Sequence, residues 1–505
     1  MIAVLRILGM VIFTFGITML VPLGVAWGRG EPSLVVRSHA LALVVTIAVG
    51  VLLSLASWVM NRERAAFNAR ELAQEFVHEL SPRNGVMLVT LVWSTLPLFA
   101  GLPLWLFYNH SGTPLSFTNA YFEGMSALTT TGATVLGGLD ELPASINLWR
   151  CFVQWIGGMG ILVLAVAILP LLGVGGSQLF RAEAAGPIKD AKLTPRIAET
   201  AKGLWRVYVI VSLLCLLAYR LGGMSWIEAW THMFATTSLG GLSSHDTSFG
   251  YFNSPLLEWI AVVFMLISSC NFALYFVAFR TRSLTRLLSD PETRGTLGLL
   301  IGASLFVSAF LMVKGVYADP LVALRMAFFQ VVSVGSTTGF ATTDYSHWPM
   351  FVPILMLILS GVSTSAGSTG AGIKMIRLIL LCKQARREMQ RMLHPRAVNP
   401  MKFHGRTVST ATLLSVVGFM LVYGMSVIVL TLVLMATDLE FDTAFAAVLG
   451  CINNMGPGLN ELGPAGNFNH LSDFQTWVCT FAMLLGRLEL LSVLVLLTPQ
   501  YWRNR

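Results

Sequence analysis

Four short stretches of this chain carry hydroxyls and amides gathered around a glycine. They are Thr129-Thr130-Thr131-Gly132-Ala133-Thr134, Thr237-Ser238-Leu239-Gly240-Gly241-Leu242-Ser243, Gly335-Ser336-Thr337-Thr338-Gly339-Phe340-Ala341-Thr342 and Cys451-Ile452-Asn453-Asn454-Met455-Gly456-Pro457-Gly458. Gly132, Gly241, Gly339 and Gly456 align with steps of 109, 98 and 117 residues. Glycine opens backbone angles closed to other residues, so such a turn can aim its own carbonyl oxygens. A ring of carbonyls can replace the hydration shell of a cation. These residues therefore suit the coordination of a desolvated cation, with Thr, Ser and Asn oxygens at hand.

Each turn follows an apolar, helix-compatible run, at about 117–130, 225–238, 321–336 and 441–454. Fourteen residues or so, at about 1.5 Å each, cover roughly half of a hydrocarbon core about 30 Å thick. A chain that enters halfway and returns leaves backbone groups unpaired. That is tolerated only where the backbone is buried in protein or lines a wet cavity. Each half-helix also presents its partially negative C-terminus to the turn, which favours a cation there.

Composition agrees with this setting. Of 505 residues, 55% are hydrophobic and 11% charged, and the mean hydropathy is +0.71. A soluble chain would carry about 25% charged residues, so this is a polytopic membrane protein. The net charge of +8 fits cytoplasmic loops facing anionic lipid rather than nucleic acid. Six cysteines are scattered singly without CxxC spacing, as reduced packing residues would be. Ten spans are expected, at roughly 6–27, 40–60, 86–108, 149–172, 204–222, 257–279, 297–315, 351–382, 408–436 and 476–497. The first reads as an uncleaved span rather than a signal peptide, because its apolar run is too long.

Cations orient the bundle. Arg62, Arg64, Arg70 and Arg83 follow span two, and Arg181, Lys189, Lys192, Arg196, Lys202 and Arg206 follow span four. Arg280, Arg282, Arg286 and Arg294 follow span six, and eight more lie from Arg377 to Arg406. With Arg503 and Arg505, 24 of 33 cations share one side. That side is cytoplasmic, so both termini lie inside and all four turns face out. The expected organisation is all-α, with two N-terminal spans and a linker (1–80). Four span–half-span–span units follow, at 81–180, 181–285, 286–400 and 401–505.

With these motifs in view, the chain resembles the Trk/Ktr/HKT superfamily of potassium transporters, most closely its bacterial TrkH/TrkG branch. The carrying residues are the four turns, including Ser243-Ser244-His245-Asp246, Thr342-Thr343-Asp344 and Leu459, with Ser363 to Lys374 and Gly486-Arg487-Leu488-Glu489. The resemblance implies a pseudo-fourfold pore within one subunit, with potassium as substrate and no covalently bound cofactor. Its filter falls on Thr130, Thr131, Gly132, Leu239, Gly240, Gly241, Thr337, Thr338, Gly339, Asn454, Met455 and Gly456. It further implies the bacterial inner membrane, a homodimer, and a TrkA-like cytosolic ring that binds NAD, ATP or ADP. The second and fourth turns depart from the Thr-Thr-Gly pattern, and unequal walls predict modest discrimination against sodium.

Span eight is interrupted by Ser363 to Gly372, a poor helix former rich in Gly, Ser and Thr. It reads as a loop beneath the filter, with Gly367, Gly370, Gly372, Lys374 and Arg487 as gate residues. Ionisable groups at such depth usually mark a pathway, although Lys374 could instead snorkel to the inner surface. Glu489 is a candidate partner for Arg487. Glu123, Asp246, Asp344 and Glu461 near the outer mouth could concentrate cations or serve as caps and loop charges. The Gly367–Lys374 stretch lacks the Walker order, and the nine histidines show no HExxH. An enzyme would need converging nucleophile, base or metal ligands, which the spans lack. A cation symporter or alternating-access carrier is the rival reading; it predicts paired broken helices in inverted halves, where only one broken span is expected.

Overall fold

The computed structural model describes residues 2–67, 82–163, 193–283, 285–396, 399–403 and 406–503. Two helices in line, Ile2–Thr18 and Leu20–Gly28, pack against Ser33–Phe67. Small residues let these backbones approach closely. A Cβ on Gly50 would stand 2.6 Å from the Phe13 amide nitrogen, and one on Gly9 would stand 2.9 Å from the Gly50 carbonyl oxygen.

Four units follow. The first holds Pro82–Ser111, the half-helix Phe117–Leu128 and Ala144–Val163. The second holds Leu193–Leu221, the half-helix Trp226–Ser238, then Pro255–Ser269 and Phe272–Thr281. The third holds Pro291–Val313, the half-helix Pro320–Gly335, then Phe351–Val362 and Met375–Leu393. The fourth holds Thr410–Met435, the half-helix Phe441–Ile452, then Asp473–Arg487 and Leu491–Leu496. The half-helices match the expected runs to within two residues or so at most ends. Ser116, Ser225 and Asp319 start three of them by accepting a backbone N–H with their side chains.

Among the described residues, six helices are long and apolar enough to cross a membrane. A seventh is the pair Pro255–Ser269 and Phe272–Thr281, bent by 90°. The expected continuous span at 257–279 is therefore corrected. Asn271 begins a new helix by accepting the Ala273 N–H at 2.8 Å. The backbone groups freed by the bend find partners in the intramembrane loop: Ser365 N–H donates to Ser269 O at 2.9 Å, and Phe272 N–H donates to Gly367 O at 3.0 Å.

The expected span at 476–497 is also broken. Glu489 and Leu490 take φ of 56° and 50° between its two helices. Among the described residues, spans six, eight and ten are thus interrupted, not span eight alone. Positions 164–172 of the expected span four, the unit boundaries at 80/81 and 180/181, and Arg70, Arg181, Lys189, Lys192 and Arg505 lie outside the described residues. The cysteines are free; Cys382 is exposed and the other five are buried.

Candidate cation site at four converging turns

The four half-helices end alike. Thr130, Leu239, Thr337 and Asn454 adopt left-handed φ of 54°, 55°, 65° and 48°. The next residue's N–H then reaches back five positions. Thr131 donates to Ser126 O at 2.8 Å, Gly240 to Ala235 O at 2.9 Å, Thr338 to Ser333 O at 2.8 Å, and Met455 to Gly450 O at 2.8 Å. This is the Schellman closure, with Asn or Gly the usual occupant of the left-handed position. Threonine and leucine there are strained. The packed surroundings hold them, since all four side chains are buried.

Gly132, Gly241, Gly339 and Gly456 follow with φ of 85°, 69°, 87° and 90°. Their neighbours close a ring. A Cβ on Gly132 would collide with Gly240 O, and one on Gly241 with Thr338 O. On Gly339 it would collide with Met455 O, and on Gly456 it would lie 2.7 Å from Thr131 O. In each case the obstacle is the carbonyl just before the next glycine. The cycle runs from the first unit through the fourth and returns to the first. Eight of the twelve residues expected at the filter, Thr131, Gly132, Gly240, Gly241, Thr338, Gly339, Met455 and Gly456, therefore meet in one cycle, and Thr130, Leu239, Thr337 and Asn454 adjoin it along the chain. A cavity of about 70 Å³ opens beside Gly132, Gly241 and Gly339, and Asp246 is among its lining residues.

The Ser363–Lys374 loop contacts the second and third of these turns. Ala371 N–H donates to Thr337 Oγ1 at 3.2 Å, and Thr369 Oγ1 donates to Thr237 O at 3.1 Å. Arg487 donates from one side to Thr369 O at 3.0 Å and from the other to Gly157 O at 3.2 Å. It thereby links the loop to spans of the first and fourth units. Lys374 turns its amine back onto Gly370 O rather than outward. Gly367 and Gly372 carry the loop through φ of 76° and 81°. At Gly370 a Cβ would approach Thr364 Cγ2 to 2.6 Å.

A family model described as TrkH, cation transport protein, matches residues 64–504. The chain belongs to the TrkH family. It is 43% identical over 510 residues to the Trk system potassium uptake protein TrkH of Vibrio parahaemolyticus, covering 99% of each chain. It is 35% identical over 496 residues to the Trk system potassium uptake protein TrkG of Escherichia coli K12, covering 98% of this chain and 97% of that one. The crystal structure of the potassium transporter TrkH from Vibrio parahaemolyticus superimposes with a TM-score of 0.88 at 40% identity, covering 99% of both chains.

Within this TrkH family member, two expectations about charge need correction. Glu123 is no open-mouth carboxylate. It is buried, 3.3 Å from the Arg150 guanidinium, and accepts from the Val135 N–H at 2.7 Å and from the Thr134 hydroxyl. It braces the first turn from behind. Glu489 does not pair with Arg487, because adjacent turns of the broken span aim them apart; its partner is Arg377. Asp344 caps a short turn by accepting the Ser346 N–H, and Glu461 faces His470 at 3.2 Å.

Sequence reading missed a polar stripe on Ala144–Val163. Asn147, Arg150 and Gln154 all hydrogen-bond backbone between Gly240 and Ser244. The signal was available as an arginine and a glutamine inside an apolar run, at a spacing that places both on one helix face.

Proposed function

We propose that this chain is a potassium-uptake pore whose filter is the ring of carbonyls before Gly132, Gly241, Gly339 and Gly456. The single observation that carries the reading is the closed four-membered cycle of glycine-to-carbonyl contacts. Four half-helix C-termini aim at that ring, and their partial negative charge favours a cation. An inside-negative potential of 100 mV supplies about 2.3 kcal/mol per entering charge. The loop from Ser363 to Lys374 acts as the gate, held shut by Arg487. The cationic side faces the cytoplasm, both termini lie there, and the membrane is the bacterial inner membrane. The four units divide at the expected boundaries, the pore works as a homodimer, and a TrkA-like nucleotide-binding ring controls the loop; family membership supports these assignments.

The test is rubidium uptake by cells lacking their own potassium-uptake systems. Gly339→Asp is expected to abolish it with normal protein amount; unchanged uptake rejects the filter. The three interrupted spans favour a second reading, ion-coupled carriage. Reversal potentials of the purified protein in sodium-free solution at equal pH on both sides decide between them: a pore reverses at the potassium equilibrium potential, whereas an obligate symporter carries no current without sodium or, if coupled to protons, reverses at a fraction of that potential.

A further inference from the structure

The residue before the ring glycine is a threonine in two turns, Thr131 and Thr338, and differs in the others, Gly240 and Met455. The glycine at 240 is not demanded by its own backbone, which lies outside the left-handed region. What excludes a side chain there is Gln154. A Cβ on Gly240 would lie 2.5 Å from Gln154 Cδ and 2.7 Å from both amide heavy atoms.

Gln154 belongs to the first unit and is fully buried. Its Nε2 donates to Gly240 O at 2.6 Å, and its Oε1 accepts from Leu242 N–H at 3.2 Å. Next on the same helix face, Cys151 Sγ donates to Leu242 O at 3.4 Å and Arg150 donates to Ser243 O at 3.4 Å. Asn147 donates to Ser244 O at 3.4 Å. One face of a span thus grips four of the five residues from Gly240 to Ser244. The first and third turns supply their own polar groups instead. Thr129 pairs with Thr131 and Ser336 with Thr338, each hydroxyl pair at 2.7 Å.

We propose that Gln154 is a specificity-determining positioning residue, acting on the passing ion through the Gly240 carbonyl. This rests on the filter reading above. A carbonyl oxygen has two lone pairs. Gln154 occupies one from behind, and the other remains for an ion. The amide's positive end opposes any cation on the far side of that oxygen. Coulomb energy rises as distance falls, so the opposition weighs more on sodium, which binds closer, than on potassium. Field strength at the carbonyls is one of the quantities that sets this choice. The amide also fixes the one wall that has no side chain of its own before the ring glycine.

The test uses the full-length protein in planar bilayers, with potassium on one side and sodium on the other. Gln154→Met keeps the length of the side chain and removes both hydrogen bonds. Loss of the donor is expected to lower the potassium-over-sodium permeability ratio about fivefold. Gln154→Glu keeps the shape and the acceptor for Leu242 N–H but cannot donate when ionised; its ratio should fall likewise. The double variant Gln154→Ala with Gly240→Thr moves the polar group onto the wall and should recover selectivity over Gln154→Ala alone. An unchanged ratio in both the Met and Glu variants overturns the proposal. So does failure of all three variants to accumulate, which would make Gln154 a folding residue. Conduction by Gly339→Asp would instead remove the filter reading itself, so the two failures are distinguishable.

Discussion

Arg377 places its guanidinium 2.6 Å from the carboxylate of Glu489. The first begins the helix that leaves the intramembrane loop, and the second sits in the break of the last span. Arg377 also donates to Ile373 O at 3.0 Å and lies over the Phe419 ring at 3.9 Å. The pair therefore ties the trailing end of the loop to the fourth unit. It also accounts for the left-handed Glu489, whose side chain is drawn toward the third unit. Glu489→Gln weakens a charge-assisted hydrogen bond, a change of about 2 kcal/mol. The expected result is a lower melting temperature together with raised basal ion flux in proteoliposomes. Unaltered flux would dissociate this pair from the loop.

Arg487 joins the same loop, at Thr369 O, to the first unit, at Gly157 O. Each bond to a charged donor contributes about 1.5–3 kcal/mol. Arg487→Ala removes both and, under the gate proposed above, also the barrier of a fixed cation beneath the filter. Basal rubidium flux should rise about tenfold or more, since 1.4 kcal/mol corresponds to a factor of ten. A fall in flux at normal protein amount would assign Arg487 a supporting role instead.

Alanine at Gly241 faces two obstacles. Its φ of 69° suits glycine, and its Cβ would collide with Thr338 O of the next unit. Backbone of the ring must then shift, which opens one wall. Uptake should drop at least tenfold, with the protein still inserted in the membrane. A Gly241→Ala protein with wild-type uptake would break the four-membered ring at that step.

Beside the outer cavity, His245 Nδ1 lies 2.5 Å from Asp140 Oδ1, its Nε2 lies 3.4 Å from Glu228 Oε2, and its ring stacks on Tyr251. Burial favours the neutral imidazole, but hydrogen bonds and charge from Glu228 and Asp140 outweigh it, and the pKa stands above its ordinary value. Burial of Asp140 works upward too, and the His245 bond overcomes it to leave that carboxyl lower than usual. Stability from the histidinium is complete below the ordinary histidine pKa of about 6.5 and fades as pH rises through the higher folded value. The melting-temperature gap between wild type and His245→Gln should be largest near pH 6 and shrink by about pH 9. A gap that stays constant across that range refutes the pairing as a charged one.

Much of the site was legible from residue types. Apolar runs too short to span, each ending in a glycine turn, located the half-helices because such an arrangement leaves backbone that only a protected cavity tolerates. Glycine spacing then named all four ring positions. The family resemblance implied Leu239 in the filter, and packing explains how leucine is held there: its side chain is buried while its backbone takes the left-handed turn.

The breaks at Cys270–Asn271 and at Glu489–Leu490 were not legible. No proline or glycine marks either place. The third unit supplies partners at both, Gly367 O and Ser365 N–H from its loop at one break and Arg377 from the helix after that loop at the other. Glu123 was misread for a similar reason, since its buried partner Arg150 lies in a separate helix.

By itself the chain's order of residues determined what local chemistry decides: which runs are apolar, how long they are, where backbone must turn, and which side carries the cations. Only the folded bundle decided which carbonyl faces which glycine, which carboxylate meets which guanidinium, and why position 240 has no side chain. Those depend on contacts between units roughly a hundred residues apart, where packing and burial choose the partner and periodicity along the chain carries no record of it.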